Sequence, residues 1–144
     1  MTDFLNSKFD EIEVSDAANE LRLFSSKLFK IIGIRFEDTS EVERQVISAF
    51  CFGALNAIVQ KGNFNQPQAH ALIIALLINE FKYSEKQAVD FAEDLIKATS
   101  KDYHPVMNAI IHRGVDGYFQ YVEDMLDDLK NNLLDVINTV NKKA

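Results

Sequence analysis

One cysteine, two prolines, five glycines and no tryptophan stand among the chain's 144 residues, and each scarcity excludes something. With a single thiol, Cys51, no intramolecular disulfide is possible. Its neighbours Phe50, Phe52, Ala54 and Leu55 make it read as a buried, reduced side chain. So few glycines and prolines suit an all-β chain poorly, since that class needs a turn every ~8–12 residues. Long helices with few corners fit better. Basic residues are also short: 15 Lys and Arg face 22 Asp and Glu, a net charge of −7. Proteins that hold nucleic acid neutralise phosphates with basic side chains, so this balance counts against a DNA or RNA binder and favours a basic partner. The longest uninterrupted apolar run, Ala71–Ile78, has eight residues, far below the ~20 that span a bilayer. No basic stretch leads into an apolar run at the N-terminus, where Asp3 sits. No signal peptide and no membrane contact are expected, and the expected location is the cytoplasm.

Catalytic patterns are missing as well. The chain has no Gly-x-Ser-x-Gly elbow, no Walker-type glycine loop and no dinucleotide fingerprint. A Cys51 nucleophile would have to leave its apolar setting to meet a histidine. Acid pairs such as Glu123/Asp127 and Asp124/Asp128 have helix-face spacing but no recognisable pocket. The expectation is a protein that is not an enzyme and carries no cofactor.

What is present is helical periodicity. Apolar residues make up 47% and charged residues 26% of the chain, which suits one globular domain. Residues 3–13 read as a short amphipathic helix with Phe4, Leu5, Phe9 and Ile12 on one side. Ser15 reads as the N-cap of a second helix over about 16–32, striped by Leu21, Phe24, Leu28 and Ile32 and closed by Gly33. The stretch Ile31–Phe36 would also suit a short strand. Ser40 with Glu43 forms a capping box that opens a helix over 41–61, apolar nearly all round from Val46 to Val59 and closed by Gly62. Asn65 and Pro67 start a helix to about Phe81, central through Leu72, Ile73, Leu76 and Leu77. Ser84 with Gln87 starts another to about Thr99, with Ala88, Phe91, Leu95 and Ala98 inward. Pro105 opens a last helical region to Val140, striped by Tyr118, Val122, Met125, Leu129, Leu133, Val136 and Val140. A kink or break is expected near Gly114 or Gly117, unless those glycines admit another backbone. The expected fold is all-α: a single-domain bundle of about six helices, two of them central and apolar, with a long, kinked C-terminal helix.

Two surfaces stand out as candidate contacts. One is a polar ladder at spacing four, His104, Asn108, His112 and Asp116, flanked by Tyr103 and Arg113. His104, just before Pro105, also suits the free N–H groups of the following turn. Asp116 lies one turn after His112 and suits an imidazole proton. The ladder reads as a contact surface or as a hydrogen-bonded seam between helices. Two helical histidines without cysteine or a His-Glu-x-x-His pattern make a metal site a weak reading. His70, on an apolar helix, reads as a packed or helix-surface imidazole. The second surface is acidic. Between Asp116 and Asp135 lie six acids and one lysine, a local charge of 1 − 6 = −5. Glu123, Asp124, Asp127 and Asp128 read either as a solvated helix face or as a landing surface for a basic protein.

The segment Ser100-Lys101-Asp102-Tyr103-His104-Pro105, continued by Asn108, Ile111-His112-Arg113-Gly114 and Gly117-Tyr118, resembles the all-helical bacterial polymorphic-toxin immunity proteins of family 48. Phe52-Gly53-Ala54-Leu55-Asn56-Ala57 and Tyr83-Ser84-Glu85-Lys86-Gln87-Ala88 are similar to that family too, so the resemblance covers roughly 45–120. It implies a small protein encoded beside a toxin, which it binds and blocks without catalysis. A toxin acting in the cytoplasm, such as a basic nuclease or a nucleotide-degrading enzyme, would match the missing signal peptide and the acidic charge. The alternative is a helical regulatory or adaptor module that binds another protein or a small apolar ligand.

Overall fold

Three polar residues placed just before apolar runs set helix starts. In the computed structural model, Ser40, Asn65 and Ser84 each accept a hydrogen bond from the third residue of the helix that follows, and that residue's side chain accepts one from the cap's N–H. Each box satisfies two of the orphan donors that a helix N-terminus leaves. The structure describes residues 2–143, with side chains for 13–142. It contains α1 (Thr2–Ile32), a 3-10 turn (Phe36–Asp38), α2 (Glu41–Gly62), α3 (Gln66–Asn79), α4 (Glu85–Lys97), α5 (Pro105–Val122) and α6 (Leu126–Lys143). The six helices form a single-domain bundle with no strand among the described residues, and the Ile31–Phe36 segment carries the end of α1 and a turn.

Three expected boundaries move. The break expected at Ser15 is absent, and α1 is one helix of 31 residues. Neither proline nor glycine interrupts the chain there, so nothing stops the helix. The expected inward face of Phe4, Leu5, Phe9 and Ile12 lies outside the described side chains. At the end of α2 it is Asn63, not Gly62, that takes the left-handed conformation, with φ of 58°. Gly62 instead leaves room for the Phe64 ring, whose Cε2 would lie 2.6 Å from an added Cβ. Gly33 does close α1 as expected, with φ of +70° and its N–H donating to the Phe29 carbonyl.

The third shift decides the architecture. No break falls at Gly114 or Gly117; α5 continues through both and ends at Val122. An added Cβ at Gly114 would collide with the Phe50 carbonyl oxygen, and one at Gly53 with the Ile111 carbonyl oxygen. At Gly117 it would come 2.5 Å from the Phe50 ring. The glycines therefore let α2 and α5 pack backbone against backbone, the most extensive helix pairing in the bundle. Around this seam Phe24 of α1 stacks on Phe50 at 6.2 Å and meets the Tyr121 edge at 5.3 Å.

Burial follows the remaining stripes. Leu21, Phe24 and Leu28 are buried from α1, and Leu72, Ile73, Leu76 and Leu77 from α3. On α4, Ala88, Leu95 and the following Ala98 are buried, with Phe91 half-buried. The core residues of α2 run unbroken from Val46 to Leu55. A window of α2 with mean hydropathy 1.3 is long and apolar enough to cross a membrane, yet 67% of it is buried inside the bundle. Ser48, Gly53 and Asn56 interrupt its apolar run, which is why counting uninterrupted residues passed over it.

Candidate functional site

The polar ladder divides into two parts. His104 is the N-cap of α5, and its Nδ1 accepts the Met107 N–H at 3.0 Å. Pro105 follows at the first helical position, where a missing N–H costs nothing. Asn108 is buried; its Nδ2 donates to the carbonyls of Ala98 and Thr99 at 3.0 and 3.2 Å. It thereby satisfies the C-terminal end of α4 and ties it to α5. His112 and Asp116 are exposed on the same helix. Among the described residues, no hydrogen bond joins the His112 imidazole to Asp116.

Arg113 and Asn132 form a reciprocal clamp between α5 and α6. The Arg113 Nε donates to Asn132 Oδ1 at 2.6 Å, and Asn132 Nδ2 returns a bond to the Arg113 carbonyl at 3.0 Å. The same amide donates to Gln120 at 3.1 Å, while the guanidinium reaches Asp135 at 3.1 Å. A polar depression of about 470 Å³ opens beside this clamp, with Asp116, Asp128 and Asn131 on its rim. Asn132 was not singled out from the sequence. Its signal is a polar residue three positions after Leu129 and four before Val136, on the buried face of α6. Tyr118 was expected only as an apolar stripe member. Its hydroxyl donates to Glu20 Oε1 at 2.5 Å and fastens α5 to α1; burial raises its pKa, and the carboxylate bond adds to the rise.

Tyr103 is half exposed; its hydroxyl donates to Asp94 at 2.8 Å, and Lys97 lies 5.8 Å from its ring centre. The bond to that carboxylate raises the phenol pKa. Burial pushes the Cys51 thiol up to about 12, which keeps it protonated. His70 stands exposed on the rim of a groove of about 850 Å³ between α2, α3 and α4, floored by Phe52, Val59 and Phe64. Among the described residues, no three of His, Cys, Asp and Glu gather closely enough to hold a metal ion.

The acidic residues gather at the corner between α5 and α6, not along one helix. Glu123 caps α5, Asp124 turns the chain with φ of 60°, and Asp127 and Asp128 occupy the first turn of α6. The expected spacing-four pairing along a continuous helix therefore does not exist. Two bonds, from the Asp124 N–H to the Tyr121 carbonyl at 3.2 Å and from the Met125 N–H to the Gln120 carbonyl at 2.8 Å, close α5 in a Schellman motif. Asp127 and Asp128 face the positive end of the α6 dipole. The break also divides the expected stripe. Leu129, Leu133 and Val136 are buried, but Val122 and Met125 are 54% and 42% exposed.

The comparison with family models covers nearly the whole of this architecture. Residues 17–141 match the family described as Immunity protein 48, a span that reaches beyond the motif-bearing segment to about half of α1 and nearly all of α6. No curated protein and no solved structure matched the chain. With a match over far more than half of its length, the chain belongs to the Immunity protein 48 family.

Proposed function

We propose that this chain is a cytoplasmic immunity protein that neutralises a cognate toxin by tight, non-catalytic binding. The observation that carries the reading is the family match over residues 17–141. The charge of −7 supports it, because an acidic inhibitor associates fastest with a basic partner. A nuclease or nucleotide-degrading toxin with a basic surface fits best. Of the residues singled out from the sequence, Tyr103, His112, Asp116, Glu123, Asp124, Asp127 and Asp128 are exposed and available to a partner. His104 caps α5, Asn108 and Arg113 tie that helix to its neighbours, and all three would act on a partner mainly by fixing that surface.

The test is growth. The neighbouring open reading frame is induced in a naive bacterial host with and without this chain. Toxicity that this chain relieves, and that an unrelated acidic helical protein does not, is the expected result. Toxicity that persists despite soluble co-expression rejects the pairing. The 850 Å³ groove favours one second reading, a helical module that binds a small apolar ligand. A rise in melting temperature with one member of a lipid and metabolite panel would support it.

A further inference from the structure

Phe119, Val122 and Met125 are 53%, 54% and 42% exposed, three large apolar side chains within seven residues. Packing does not explain them. Phe119 and Val122 lie three residues apart on one face of the last turns of α5. The bond from the Met125 N–H to the Gln120 carbonyl folds Met125 back across that same end. The acids of the corner, Glu123, Asp124, Asp127 and Asp128, lie between and just beyond them in the chain and are all exposed. No Lys or Arg among the described residues forms an ion pair with any of the four. An apolar centre inside a charged rim is the anatomy of a protein–protein contact, in which a few large side chains carry most of the binding energy.

We infer that this corner is the docking surface for the cognate toxin, taking a face rich in lysine and arginine with apolar contacts at its centre. The inference rests on the immunity reading and names the surface that performs it. Charge decides among occupants. Nucleic acid and anionic lipid would be repelled by the carboxylates. A second copy of the chain would bring the two acidic rims against each other, and like charges in contact oppose self-association. A basic partner instead gains attraction at the rim, which speeds encounter, while burial of the apolar centre slows escape. The Schellman closure sets the anchors in place before the partner arrives, so little conformational entropy is lost on binding.

The experiment measures binding of the full chain to the purified, catalytically disabled product of the neighbouring open reading frame, alongside the growth test. The first variant carries Phe119→Ser, Val122→Ser and Met125→Ser; the second carries Glu123→Gln, Asp127→Asn and Asp128→Asn. The apolar variant is expected to raise Kd by about 100-fold or more, mainly through faster dissociation. The neutralised variant is expected to slow association by about tenfold and to flatten its salt dependence. Hydrogen exchange of the wild-type complex should show slowed amides over residues 119–128, a readout that needs no variant to fold. A wild-type chain that binds and protects, with variants of unchanged Kd and no slowing at the corner, overturns the docking surface and leaves immunity standing. A wild-type chain that neither binds nor protects overturns the immunity reading itself, and the docking surface with it.

Discussion

At Gly114, α5 lies so close to α2 that a methyl group would strike the Phe50 carbonyl, whereas eight residues later Val122 stands 54% exposed on the same helix. The first region is defined by what it excludes: side-chain atoms and water. The second displays apolar surface and carboxylates that no Lys or Arg among the described residues pairs with. Residues that packing requires explain the bundle, and residues that packing leaves idle are where a function can be written without loss of stability. α5 carries both kinds because one of its faces is committed to α2 and α1, while Phe119 and Val122 on its last turns are more than half exposed.

The sharpest way to break this contrast is at the seam. Gly114→Val should lower stability by roughly 3 kcal/mol or more, because the atoms in the way are backbone and α2 must shift as a unit. Gly53→Ala should act in the same direction. Urea denaturation measures both, and a loss below about 0.5 kcal/mol would mean that the two helices are not held backbone to backbone. Asn132→Ala comes next, at about 2 kcal/mol, since it removes the bonds to the Arg113 Nε, the Arg113 carbonyl and Gln120 at the edge of the core. Asn132→Asp should restore part of the loss, as the carboxylate still accepts from Arg113.

A smaller effect appears only at high pH. The Cys51 thiol ordinarily titrates near 9.0 and is raised to about 12 by burial. Its folded pKa lies above its unfolded one, so its contribution is fully present below pH 9 and is lost as pH rises towards 12. Relative to Cys51→Ala, the wild type should lose about 1.4 kcal/mol between pH 8 and pH 10. Tyr83, raised to about 12 by burial and by Glu41, adds a second decline from pH 10 upward, which Tyr83→Phe should remove. Parallel curves for wild type and Cys51→Ala would mean that the thiol is open to solvent.

How much of this the sequence displays depends on whether a feature is local. Capping boxes at Ser40 and Ser84 need only residues three apart, and both were readable, as was Gly33. The His104 cap was readable because Pro105 fixes the turn that follows. Gly114 and Gly117 were ambiguous, since a glycine that bends a helix and one that admits a neighbour look alike until the neighbour, here Phe50 across α2, is placed. The α5–α6 break was missed because its turn uses Asp124 in a conformation that usually marks glycine. With that break unseen, Val122 and Met125 read as core, and the four acids read as one helix face. The Arg113–Asn132 clamp joins residues 19 positions apart, beyond the reach of any periodicity.

The corner allows two finer tests in which the expected effects on stability are small. Asp124→Gly should raise stability by about 1 kcal/mol, because glycine adopts a φ of 60° without the clash that a Cβ brings. If the gain is absent, the aspartate is making compensating local hydrogen bonds in the turn. Val122→Ser should change stability by no more than about 0.5 kcal/mol, since a side chain already half in water loses little transfer free energy. The same substitution of a buried stripe member, Leu133→Ser, should cost several times more. Thermal melts of the two variants side by side measure how far the idle end of the stripe differs from the packed one. Equal losses would mean that the stripe is a single packed face after all, and that Val122 belongs to the bundle and is not free for a partner.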